Sequence, residues 1–141
     1  MLSVPELPRA IKTKALELGF DACGIAPATN LPELKFFKEW LARGYAGDMA
    51  FLAKSADLRA DARGAMKSAQ SVIVTATLYN TDRPFSIETA DRSTAHVARY
   101  AWGDDYHAVL MRRLDRLIAW MHEAHREPFE AAPYVDTGPV Q

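Results

Sequence analysis

The chain has 141 residues, 49% of them hydrophobic and 25% charged, the length and composition of one ordinary globular domain. Its 17 Lys plus Arg against 18 Asp plus Glu leave a net charge of -1, which excludes a global basic surface for nucleic acid and an acidic tail. Cys23 is the only cysteine, so an internal disulfide and a complete four-cysteine zinc or iron–sulfur site within this chain are excluded as well. From Met1 to Gly19 charged and apolar residues alternate without a signal-peptide core, and no stretch approaches the roughly 20 apolar residues of a membrane span. The reading is a cytoplasmic protein.

The apolar residues Ile11, Ala15 and Leu18 fall at helical spacing between Leu7 and Leu18, and Gly19 follows as a helix stop. Phe20 to Ala26 is short and apolar, a buried strand with a close backbone approach expected at Gly24. Asn30 is expected to cap a second helix whose face of Leu34, Phe37, Trp40 and Leu41 is core, and Gly44 stops it. Met49 to Lys54 adds a helical turn. Ser71 to Tyr79, rich in β-branched residues, is the best strand and is expected to be central.

Residues 80–97 are polar and too long for an idle connection, which suggests a lid or binding loop. Asp104 is then expected to cap a long helix with an apolar stripe of Val109, Leu110, Leu114, Leu117, Ile118 and Met121, leaving Arg112, Arg113 and Arg116 outward. Phe129 to Val135 reads as a third short strand. The fold class is therefore α/β (or α+β), with three strands and no internal repeat. The chain stops right after the Asp136-Thr137-Gly138-Pro139 turn with no helix to cover the last strand, which suggests a module incomplete at its C-terminus.

Two segments combine residue types that packing does not require. Arg99-Tyr100-Ala101-Trp102-Gly103-Asp104-Asp105-Tyr106-His107 sets cationic, aromatic, anionic and imidazole groups at a loop-to-helix junction. Free backbone N–H groups there suit a ligand's amide or phosphate oxygens, while helix capping by Asp104 or Asp105 accounts for the aspartates equally well. In Tyr134-Val135-Asp136-Thr137-Gly138, a carboxylate ends a predicted strand, a position where α/β folds place ligands. An apolar ligand face beside such a carboxyl disfavours its charge, the condition for a general acid; an Asx-turn is the alternative. Weaker features are the Gly44–Gly47 turn, the charged 57–63 segment with Arg59 and Arg63, and His122 and His125 at i, i+3. These read as a turn, a solvated helical face and an incomplete metal pair, and Cys23 as an inert core thiol.

Taken in order, Leu18-Gly19-Phe20-Asp21-Ala22-Cys23-Gly24-Ile25-Ala26, Gly44-Tyr45-Ala46-Gly47-Asp48-Met49, Ala98 through His107, and Val135-Asp136-Thr137-Gly138-Pro139-Val140 resemble the N-terminal portion of the epoxyqueuosine reductase family. The resemblance implies a cobalamin-dependent, iron–sulfur oxidoreductase performing the last step of queuosine biosynthesis, on epoxyqueuosine at the wobble position of tRNA. It implies a nitroreductase-like cobalamin-binding module, of which residues 1–141 are the N-terminal part, followed by ferredoxin-like and helical-repeat regions absent here. Asp136 matches the family's catalytic aspartate, and Arg59, Arg99, Tyr100, Tyr106, His107 and Asp136 lie in segments resembling those that contact cobalamin. Two 4Fe-4S clusters belong to the implied full-length protein, with no ligand in this chain, so the isolated fragment is expected to be inactive. The implied partners are tRNA, contacted mainly through other regions, and an external electron donor, with no membrane and a monomeric state. The competing readings are a non-catalytic corrin-binding module, which would lack the cysteine clusters, and a flavin-dependent nitroreductase-like enzyme, which would be yellow.

Overall fold

The computed structural model describes residues 5–29, 34–59, 61–88, 93–136 and 138. The first helix, α1 (Leu7–Glu17), carries Pro8 in its first turn, where the missing N–H costs nothing, and ends at Gly19 with φ +92°. Its Ile11 and Ala15 are buried, as the spacing requires. The last helix, α6 (Tyr106–Ala124), buries Leu117 and Met121 against them, and Phe20 completes the cluster. Leu110, Leu114, Ile25, Ile73 and Phe129 pack around its edge.

Strand β1 (Ala22–Pro27) pairs antiparallel with β2 (Ser71–Ala76), Cys23 opposite Thr75 and Ile25 opposite Ile73. With period-two alternation those four side chains share one face, and Cys23, Ile25 and Ile73 turn to the core. Among the described residues the sheet has these two strands, so β2 has one partner and is not central. It is also shorter than expected: the Leu78 N–H donates to the Asp21 carboxylate at 2.8 Å, and this side-chain bond takes over where the ladder ends at Ala76. Phe129 to Val135 is not a strand. Pro128 and Pro133 lack ladder donors, and Phe129 stacks on His122 instead, with ring centroids 4.2 Å apart.

Between the strands lie α2 (Leu34–Ala42), α3 (Ala50–Lys54), α4 (Ala56–Arg59) and α5 (Ala62–Ala65). Phe37, Trp40 and Leu41 are half-buried rather than core, with Phe37 and Tyr45 packed around the Trp40 ring. Gly44 and Gly47 take φ +73° and +53° in the turn between α2 and α3. The Asn30 cap lies outside the described residues. Arg59 and Arg63 belong to different one-turn helices, not to one charged face.

Three further expectations are corrected. The cap of α6 is Asp105, whose carboxylate accepts from the His107 N–H, and not Asp104. Arg113 turns inward, donating to the Gly19 carbonyl at 2.7 Å above the Phe20 ring, so it ties α6 to the end of α1. A Cβ on Gly24 would meet nothing within 4 Å, whereas one on Gly138 would lie 2.4 Å from the Tyr134 ring. The close approach is at the turn after Asp136. No helix among the described residues is long and apolar enough to cross a membrane. An apolar groove of about 1140 Å³, with Ile11, Ile73, Leu114, Leu117 and Phe129 in its lining, also takes in Tyr134 and Asp136.

Candidate functional site

The start of α6 and the segment ending at Asp136 meet although they are 30 residues apart. Capping by Asp105 fixes the first turn, and the Asp105 carboxylate also holds the His107 ring through Nδ1 at 2.9 Å. Those bonds to His107 hold the Asp105 carboxyl below its ordinary range. The turn so fixed aims Tyr106, and its hydroxyl donates to the Asp136 carboxylate. That bond, with desolvation and the neighbouring charges behind it, pushes the Tyr106 phenol up to about 12.

Asp136 itself has φ +54°, a left-handed backbone that a non-glycine residue seldom adopts. It directly follows Val135, which is buried, while its own side chain is exposed. The carboxylate therefore stands at the surface on an anchored backbone. Its bond to Tyr106 is long-range, unlike a local Asx-turn.

Around this pair the aromatic residues form a row. Tyr79 meets Tyr100 edge-on with centroids 6.4 Å apart, Tyr100 meets Tyr106 at 6.0 Å, and Tyr106 lies 4.1 Å from the His107 ring. Edge-to-face pairs at such separations are favourable arrangements of the ring quadrupoles. Leu78, Tyr79 and Tyr100 are more than half exposed, so the row presents apolar and hydroxyl surface outward.

Arg99 is tied to the loop that precedes it. Its guanidinium donates to the side-chain oxygen of Asn80 and to the carbonyls of Thr81, Arg83 and Pro84, and it lies over Phe85 at 4.5 Å and Trp102 at 5.8 Å. The planar fork is thereby engaged in shaping residues 80–85. Trp102 is in turn tied to the Val97 carbonyl at 2.9 Å. A groove of about 550 Å³ opens between this loop and the tyrosine row, lined by Leu78, Tyr79, Asn80, Phe85, Arg99 and Tyr100.

Arg59 is engaged locally: its Nε donates to Ser55 Oγ at 2.8 Å and its guanidinium lies over Phe51. The structure thus joins Tyr100, Tyr106, His107 and Asp136 into one cluster, sets Arg99 beside it as a loop anchor, and leaves Arg59 with partners in its own helical segment. Tyr79 and Phe85, both in the groove lining, were not singled out from sequence. Tyr79, an exposed aromatic just past a strand end, carried the one usable signal. Among the described residues no three His, Cys, Asp or Glu side chains converge as a metal site, and His122 is occupied by Phe129. Burial pushes the Cys23 thiol above its ordinary value, the direction of lower reactivity.

The surface chemistry suits a large flat group with an apolar face and an amide rim. Exposed rings offer contact area, and phenol hydroxyls both donate to and accept from amides. At the 550 Å³ groove Leu78, Tyr79 and Tyr100 offer that exposed apolar and hydroxyl surface, and Arg99 is in the same lining.

Comparison with known proteins places this geometry. The chain is 33% identical over 99% of its length to the epoxyqueuosine reductase of Cyclobacterium marinum, and 41% identical over 93% of its length to that of Gloeobacter violaceus. It spans 44% and 40% of those relatives' own lengths. The fold is similar to the structure of epoxyqueuosine reductase from Streptococcus thermophilus, with TM-score 0.76 and 24% identity over 96% of this chain and 36% of that one. A family model described as "Epoxyqueuosine reductase QueG, DUF1730" matches residues 59–137, more than half of the chain and the stretch that holds all six candidate residues from Arg59 to Asp136. The chain belongs to the epoxyqueuosine reductase family.

Proposed function

We propose that this chain is the N-terminal part of an oxidoreductase that reduces epoxyqueuosine to queuosine in tRNA, and that it supplies part of a nitroreductase-like cobalamin site. The observation that carries the reading is the family match over residues 59–137 together with the clustering of Tyr100, Tyr106, His107 and Asp136 inside it. Bound cobalamin would supply the reducing equivalents at a metal held over an apolar face. Leu78, Tyr79 and Tyr100 would contact that face, and Arg99 would keep the 80–85 loop in place at its rim.

Opening an epoxide leaves an oxygen that must take up a proton, and Asp136 is the acid best placed to give one. Its carboxyl stands at the surface beside the aromatic row, on a backbone anchored by Val135, where a ligand seated on the row would exclude water from it. The reduction takes two electrons and two protons and releases the epoxide oxygen as water: the Asp136 proton would pass to that oxygen as the first C–O bond opens, and solvent would supply the second proton as the oxygen departs and then reprotonate Asp136. The two 4Fe-4S clusters and the external electron donor would lie with the larger part of the family's length, since Cys23 is this chain's only cysteine. With a net charge of -1, most of the tRNA's phosphate contacts would also fall there.

The test is conversion of epoxyqueuosine to queuosine in purified tRNA, anaerobically, by a full-length protein carrying this chain, reconstituted with cobalamin. Conversion that requires added cobalamin supports the reading. A yellow protein with flavin absorbance and no response to cobalamin contradicts it, as does cobalamin binding without conversion, the mark of a binding module.

A further inference from the structure

The hydrogen bond between Tyr106 and Asp136 joins the first turn of α6 to a residue whose backbone is in the left-handed region. Two constraints thus fall on one carboxylate. The left-handed backbone sets where the side chain leaves the chain, and the phenol sets how the carboxyl group is turned, with Oδ2 as the acceptor. Tyr106 is itself well held. Its ring is packed edge-on by Tyr100 and flanked by the His107 imidazole, which the Asp105 carboxylate fixes in place.

We propose that Tyr106 is a positioning residue for Asp136: its phenol orients the carboxyl group by holding Oδ2, so that Oδ1 is the oxygen presented to substrate. The inference rests on the reading of Asp136 as the proton donor. The titratable groups facing Tyr106 are Asp136, Asp105, Tyr100 and His107. With its own titration pushed up to about 12, the phenol keeps its proton and remains a donor throughout the neutral range. Asp136 and Tyr106 therefore have distinct duties: one transfers a proton, the other keeps its proton and sets direction.

The test has one arm that needs no turnover. Ring-carbon NMR of labelled tyrosine in the full-length protein, assigned with Tyr106→Phe, reads the ionisation of this one phenol. At about pH 10 an ordinary tyrosine is half ionised and Tyr106 should be about 1% ionised. In Asp136→Asn, with the carboxylate gone, its ionised fraction should rise clearly toward the ordinary value. An unchanged fraction in Asp136→Asn would overturn the pairing and the proposal with it.

The second arm is kinetic. Tyr106→Phe should lower kcat about tenfold, the scale of one hydrogen bond to a charged group, with KM for tRNA unchanged. A Tyr106→Phe enzyme with wild-type kcat, or with its loss confined to KM, overturns positioning even if the pair titrates together. Wild-type protein that never turns over refutes the assigned reaction instead, and the NMR arm then shows separately whether the pair exists.

Discussion

Replacing Arg99 with alanine tests how the 80–85 loop is held. The substitution removes donors to Asn80, Thr81, Arg83 and Pro84 and the cation lying over Phe85 and Trp102. A hydrogen bond from a charged donor contributes about 1.5–3 kcal/mol when shielded, but Arg99 is only half-buried and water replaces part of each loss. Counting the contacts to Asn80, Thr81 and Arg83 at about 0.5 kcal/mol each, and the ring contacts together at about 0.5–1 kcal/mol, gives roughly 2 kcal/mol. Phe85 and Glu88 report on it, because the Phe85 N–H donates to the Glu88 carboxylate at 2.8 Å and the Glu88 N–H to the Phe85 carbonyl at 2.9 Å. If loop opening governs exchange, roughly 2 kcal/mol speeds hydrogen exchange at those two amides about 30-fold, while protection in α6 is unchanged. Arg99→Lys keeps the charge without the planar fork and should recover only a minor part. Exchange at Phe85 and Glu88 within about twofold of wild type would refute the reasoning and return Arg99 to the role of a free ligand donor.

Three other outcomes follow from the geometry. Leu117→Ala, at a site 2% exposed among Ile11, Ala15, Phe20 and Met121, should cost about 3 kcal/mol in urea unfolding followed by tryptophan fluorescence, and a loss below about 1 kcal/mol would contradict its place in the core. Gly138→Ala puts a Cβ 2.4–2.8 Å from Tyr134 ring and Cβ atoms, so it should cost about 1–3 kcal/mol or shift the turn; wild-type stability together with wild-type tyrosine circular dichroism would contradict that contact. The Tyr106 phenol is raised from 10.0 to about 12, so the native state holds a proton that the unfolded chain gives up between those values. Its stabilisation is fully present below about pH 10 and lost as pH rises toward about 12. The wild-type urea midpoint should accordingly fall more steeply than that of Tyr106→Phe as pH rises above about 9, and parallel curves would contradict the bond.

The elements with strong periodicity were legible in the sequence. Ile11, Ala15, Leu117 and Met121 announce α1 and α6, and the β-branched run from Ser71 announces β2. Where reading failed, a side chain had displaced a backbone rule. Asp21 takes the Leu78 N–H that strand continuation needed, and two adjacent aspartates left the α6 cap to be decided by which carboxylate reaches the His107 N–H. Phe129 to Val135 has strand-like apolar content, yet Pro128 and Pro133 withhold donors and Phe129 has a ring to stack on.

The site divides in the same way. Tyr106, His107 and Asp136 stand out by residue type, but their meeting across 30 residues is a product of the fold and has no local spacing to reveal it. Arg99 also stands out by residue type, but its loop contacts do not. Three of its four hydrogen-bond acceptors are main-chain carbonyls of the 80–85 loop, which no residue identity encodes. Arg59 shares the matched segment with the others and still finds its partners in Ser55 and Phe51.

The central claim is that Asp136 delivers the proton at a cobalamin site formed beside Tyr100 and Tyr106. Its most direct test is Asp136→Asn in a full-length protein carrying this chain, since Asn keeps the side-chain shape and tolerates the left-handed backbone. The account predicts an unchanged spectral titration with cobalamin and no conversion of epoxyqueuosine in tRNA. Conversion at the wild-type rate would contradict it.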